Sequence, residues 1–153
     1  MWQHTLLMGN ASLATTLGRL HRDKGQGFVT VMADDDRASQ HLEMQLASEG
    51  LGLWAQSLSL RGSVDSDASA RAVTEHALSG LKGISLLVID TADFSDEYLE
   101  ALLSKLLPIL LPRLAPTAQV WLADTMNVSL KALCQQWAKR HGFKVAELAS
   151  RCG

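Results

Sequence analysis

Cysteine, tyrosine and proline are all scarce in this chain of 153 residues, and each scarcity excludes something. The two cysteines, Cys134 and Cys152, form neither a disulfide framework nor a zinc-ligand spacing. They read as reduced thiols, which places the expectation for the chain in the cytoplasm. Tyrosine occurs once, at Tyr98, so any chemistry that needs a phenol rests on that residue. The three prolines, Pro108, Pro112 and Pro116, fall in one stretch and leave the other helical patterns uninterrupted. The five histidines show no metal-ligand spacing, so no metal is expected. No Gly-x-x-x-x-Gly-Lys loop and no Gly-x-Ser-x-Gly elbow occurs. A formal net charge of −2 gives no electrostatic footprint for nucleic acid or a membrane surface. The opening Met1-Trp2-Gln3-His4-Thr5 has neither a basic nor a long apolar leader segment, so no signal peptide is expected. The most apolar stretch, 98–114, is interrupted by Lys105, Pro108, Pro112 and Arg113, and is too short and broken to span a bilayer.

What the chain does have is alternation. An apolar fraction of 47% over this length can bury one domain's core, and a single domain spanning 1–153 is expected. Six apolar runs read as strands: Thr5–Met8, Phe28–Ala33, Leu53–Leu58, Ile84–Asp90, Ala118–Ala123 and Phe143–Leu148. Five helical patterns lie between them. The first runs from Ser12 through Leu13, Leu17 and Leu20 to Gly25 and Gly27. The second carries Leu42, Met44 and Leu46, and stops at Gly50 or Gly52. The third is capped by Asp65 or Ser66 and continues through Leu81. The fourth starts at Asp96 and is rich in leucine, with Pro108 expected to kink or break it. The fifth starts at Asn127 or Ser129 and ends at His141-Gly142 behind the cationic turn Lys139-Arg140. Strands alternating with helices at this spacing imply an α/β fold: a doubly wound, mainly parallel six-stranded sheet with helices on both faces. The expected architecture is Rossmann-like, with strand order 3-2-1-4-5-6.

In such a sheet, ligands bind beyond the carboxyl ends of the strands. Here those ends offer Gly9-Asn10, Asp34-Asp35-Asp36, Ser59, Asp90-Thr91 and Asp124-Thr125. The order of pieces resembles the short-chain dehydrogenase/reductase family. That family opens with Thr-Gly-x-x-x-Gly-x-Gly after the first strand; here only Gly9 matches, and Leu13 and Thr15 stand at the second and third glycines. Asp34 after the second strand is similar to the family's ribose-binding acid, although the triple Asp also suits a helix N-cap. Ile89-Asp90-Thr91-Ala92 stands where the family has Asn-Asn-Ala-Gly, and no residue matches. The family's catalysis needs a tyrosine with a lysine four residues on; here Leu102 stands four residues after Tyr98. The resemblance therefore implies the fold without catalytic residues. The rival reading is a small NAD(P)-binding oxidoreductase or other nucleotide-binding domain using Gly9, Asn10, Asp34 and Asp90; the cofactor implied is then NAD rather than NADP, whose extra phosphate the three acids would repel.

Two other readings stay open at this point. Asp34–Asp36 and Asp90, counted from Val29, also resemble a response-regulator receiver domain, with Asp90 as phosphoryl acceptor. A methyltransferase shares the opening strand, turn and acid. The leading expectation is a catalytically degenerate protein that works through protein contact. The leucine-rich stretch 98–114 reads either as a central helix covering the sheet or as the surface on which a homodimer or a protein partner is expected, because it is more apolar than one sheet contact needs.

Overall fold

The run 84–89 is strand β4 (Ile84–Ile89), and every side chain from Leu86 to Ile89 is buried. A strand buried on both faces requires helices on each, and that is the arrangement observed. The computed structural model describes residues 4–8, 12–33, 36–59, 83–90, 96–123 and 126–148. The elements before β4 are β1 (His4–Met8), α1 (Ser12–Lys24), β2 (Phe28–Ala33), α2 (Asp36–Ser48) and β3 (Ala55–Ser59). After it come α3 (Asp96–Leu110), a 3-10 turn at Leu111–Arg113, β5 (Leu114–Ala123), α4 (Val128–Arg140) and β6 (Lys144–Leu148). The helix expected between Asp65 and Leu81 lies outside the described residues.

The sheet is six-stranded with order β3-β2-β1-β4-β5-β6, and every pairing is parallel. The expected topology is therefore the observed one. It also disposes of the receiver reading. A receiver counted from Val29 needs β2 beside β4; β1 pairs with both and stands between them.

Alternate residues of each strand point to opposite faces, and the core divides accordingly. On one face Leu7, Val29, Val31, Leu86 and Val88 meet Ala14 and Leu17 of α1 and Leu42 and Leu46 of α2. On the other, Leu6, Met8, Leu87, Ile89, Val120 and Leu122 share a cluster with Leu103, Leu106, Leu107, Ile109 and Leu110 of α3. Leu130, Cys134 and Ala138 of α4 complete that layer. Right-handed crossovers demand this division, because the chain winds one way from β1 to β3 and the other way from β4 to β6.

Four local readings need correction. Helix α3 is not broken at Pro108 but continues to Leu110. Pro108 and Ser104 are both exposed, so the carbonyl that loses its amide partner lies on the water side. Strand β5 begins at Leu114 rather than Ala118, and its register with β4 shifts between Ile84 and Leu86. Pro116 sits in that irregular stretch, where a missing ladder amide is tolerated. Strand β3 begins at Ala55 rather than Leu53, because the amides of Trp54 and Ala55 both turn back to the carbonyl of Leu51. Leu53 is left 89% exposed. Met44, placed on the apolar side of α2 by its spacing, is likewise on the solvent side.

Cys134 is a fully buried thiol, and burial pushes its pKa up from 9.0 to about 12. The neutral thiol is thus favoured by folding. Its contribution is present below the unfolded pKa and is lost as pH rises from about 9 toward 12. We predict that Cys134→Ala flattens the fall in urea midpoint over that alkaline range. A native chain should also leave Cys134 unlabelled by a maleimide at pH 8 until urea unfolds it. Rapid labelling of the native protein at that residue would contradict its placement.

Candidate functional site

The strands end level with one another. Met8 registers with Ile89 and Met32, Ala33 with Ser59, and Ile89 with Leu122. The winding direction reverses between β1 and β4, so the switch-point crevice opens beyond Met8 and Ile89. Asp90 sits there. Its amide donates to the carbonyl of Met8 at 2.9 Å, which extends the β1–β4 ladder one residue past the strand. Asp90 is buried, only 4% exposed.

Of the other residues the sequence marks for this site, Gly9, Asn10 and Asp34 lie outside the described residues. So do Asp35, Thr91, Asp124 and Thr125. Asp36 is the first residue of α2. Asn127 is an N-cap, as expected: its side-chain oxygen accepts from the amide of Ser129 at 2.8 Å, at the start of α4 on this same edge. Buried Met126 precedes it, with its amide on the carbonyl of Ala123.

Helix α1 follows β1 on this edge of the sheet. It starts at Ser12, so Leu13 and Thr15 both lie within its first turn or so. Leu13 is half-buried and packs on the core beneath α1. These are the two positions where the dehydrogenase pattern has glycine, so that backbone can approach a pyrophosphate closely. Further along, Gly18 faces Leu51 and Ala55 at ordinary contact distance. A Cβ there would stand 3.4 Å from Leu51 Cδ1 and 3.5 Å from Ala55 Cβ.

A second group of buried polar residues lies at the opposite, amino-terminal edge, and the sequence reading did not find it. The ring of His4 is stacked on Phe28 at 4.3 Å, and its Nε2 is 2.9 Å from Thr30 Oγ1. Gln56 Nε2 donates to the same Thr30 oxygen at 3.2 Å. The amide of His4 donates to Ser85 Oγ at 3.3 Å, and that hydroxyl is 3.2 Å from the carbonyl of His4. On the other face, His21 joins Thr5 Oγ1 through Nε2 and the carbonyl of Gln26 through Nδ1, both at 3.0 Å. His4 and Met8 are four residues apart on β1, roughly 13 Å, so this group cannot share a small ligand's reacting atoms with Asp90. The signal available was period two: His4, Leu6 and Met8 share one face with Thr30 and Met32.

Among the described residues no group of three or more His, Cys, Asp or Glu is placed to hold a metal ion. No described helix is long and apolar enough to cross a membrane.

No protein-family model and no curated protein matches the sequence. Solved structures do match in shape. AtPrR2 in its apo form superposes at a TM-score of 0.54 and 15% identity, over 98% of this chain and 49% of that one. A methyltransferase from Geobacter sulfurreducens matches at 0.44 and 15% identity, over 78% of this chain and 51% of that one. The chain thus spans about half the length of these solved structures. What AtPrR2 shares with it is the Rossmann-like α/β fold.

Proposed function

We propose that this chain is a catalytically degenerate, short-chain-dehydrogenase-like domain that acts through protein contact rather than turnover. The observation that carries the reading is the start of α1 at Ser12, which fixes Leu13 and Thr15 inside the helix. Both positions then carry a side chain where the dehydrogenase pattern has glycine. The absence of a lysine four residues after Tyr98 agrees with it, since the family's proton transfer needs that lysine beside the phenol.

Titration with NAD, NADP and S-adenosylmethionine is expected to leave the thermal midpoint unchanged. Binding at a hundredfold excess over Kd would instead stabilise the fold by about 2.7 kcal/mol. The paired substitution Leu13→Gly, Thr15→Gly sharpens the test. Glycine in a helix interior costs up to about 1 kcal/mol per position, so a loss of roughly 2 kcal/mol with no gain of NAD binding is expected. A large midpoint shift with NAD, abolished by Asp34→Ala, would overturn the proposal. It would favour a nucleotide domain whose contacts are Gly9, Asn10, Asp34 and Asp90. Turnover of a carbonyl substrate with a nicotinamide cofactor would overturn it outright.

A further inference from the structure

The charges of this chain are sorted by edge of the sheet. Parallel strands require each connecting helix to run back, so the ends of α1 and α4 fall at the amino-terminal edge. The last turn of α1 carries Arg22 and Lys24, that of α4 carries Lys139 and Arg140, and Lys144 opens β6. Each of these cations is exposed. Among the described residues the acids on this edge are Asp23, 3.5 Å from Arg22, and Glu49, paired with Arg19. The opposite edge is mainly acidic. There α2 opens on Asp36 and α3 on Asp96-Glu97, and β2, β4 and β5 lead into Asp34, Asp90 and Asp124. Helix dipoles do not account for the sorting. Neither α2 nor α3 has a cation in its last turn, and Lys144 lies on a strand.

The net charge of −2 conceals this division. A strand of five or six residues is roughly 17–20 Å long, about twice the Debye length at physiological salt. A partner at one edge therefore feels that edge alone.

Two large apolar side chains are left in water on the same basic edge. Phe28 opens β2 and is 37% exposed; Leu53, just before β3, is 89% exposed. The amide of Val29 donates to the carbonyl of Trp54 at 2.9 Å, which sets the Leu53 turn beside the start of β2. The short turn 25–27 joins that strand to Lys24. Arg22, Lys24, Phe28 and Leu53 thus form one corner, and Lys139, Arg140 and Lys144 form another. β2 and β6 stand four strand spacings apart, roughly 19 Å.

We propose that this amino-terminal edge is the contact surface and that its occupant is an acidic, partly apolar segment of another protein. Carboxylates complement both corners, and an apolar side chain covers Phe28 and Leu53. An extended stretch of about six residues spans the distance between the corners. A nucleic acid matches the cations alone, since Phe28 already stacks on His4 and Leu53 offers a base no ring. This deepens the reading that the chain works by protein contact and rests on it. The two fail separately, because cofactor titration reads the carboxyl edge and this surface lies at the other.

The probe is a fluorescein-labelled peptide of glutamates around a central Phe-Leu pair, titrated with the full chain at about 0.15 M salt. Its anisotropy is expected to rise, and to fall back as salt is added. The counterpart peptide with glutamine at every glutamate should show no rise. Reversing one corner with Lys139→Glu, Arg140→Glu and Lys144→Glu together should weaken binding roughly tenfold or more, with an unchanged circular dichroism spectrum. Arg22→Glu with Lys24→Glu tests the other corner independently, with the same expectation. Leu53→Ser should weaken binding, and Met44→Ser, at an exposed apolar position on α2, should not. No binding of the acidic peptide, equal binding of its glutamine counterpart, or full affinity in both charge-reversed chains would overturn the proposal. Tighter binding of an oligothymidylate of equal charge would overturn it in favour of a nucleic acid.

Discussion

Leu103→Glu is expected to unfold the chain rather than to split a dimer. The leucine-rich stretch invites the second outcome, because it is more apolar than one helix–sheet contact needs. Yet Leu103 has no exposure within a single chain, and Leu106, Leu107, Ile109 and Leu110 are buried beside it against the sheet. A carboxylate at Leu103 loses the leucine's packing, typically 2–5 kcal/mol, and adds a buried unpaired charge worth several more. A domain of this kind is stable by only about 5–15 kcal/mol. Far-UV circular dichroism at neutral pH should therefore show loss of structure. The deficit should shrink on acidification, since burial raises a carboxyl's pKa and the neutral acid is the form the core tolerates. A Leu103→Glu protein with its urea midpoint intact would show that this face of α3 is not against the sheet.

The same helix shows how far the sequence could be read. Central strands were legible because a parallel strand covered on both faces must be apolar at nearly every position, as β2 and β4 are and as β1 is from Leu6 to Met8. The strand order followed from alternation and crossover handedness, so it too was available. Details that depend on which side faces water were not. Pro108 reads as a breaker until its exposure is known, and Leu53 and Met44 read as core until the turn at Leu51 and the rotation of α2 are fixed. The start of β5 was hidden because Pro116 argues against a strand unless a register shift accommodates it.

The site was legible by position only. Asp90 falls at the switch point, as its place after an apolar run implies, and the structure adds that it is buried. The His4–Thr30–Gln56 group escaped notice because its members come from three strands and no local spacing joins them. Hydrogen bonds between strands depend on register, which one strand's sequence does not carry.

Leu87→Ala should show how the centre of the sheet supports the crevice. Leu87 registers with Leu6 on β1 and Val120 on β5, and all three have no exposure. Paired strands hold it on both sides, so the cavity left by truncation cannot collapse, and the cost should fall in the upper part of the 2–5 kcal/mol range. For a chain of this length, about 4 kcal/mol lowers the thermal midpoint by roughly 10 °C. Leu58→Ala provides the contrast. Leu58 is only partly buried, on the edge strand β3 at the margin of the same cluster, and should cost less than half as much. The Asp90 amide offers a local readout, because its bond to the Met8 carbonyl closes the ladder between the two strands that Leu87 braces. Its hydrogen exchange should accelerate in Leu87→Ala and stay near the natural rate in Leu58→Ala. Equal exchange at Asp90 in both variants would mean that Asp90 is held by something other than the β1–β4 pair. The buried carboxylate would then owe its position to the chain beyond β4 rather than to the sheet.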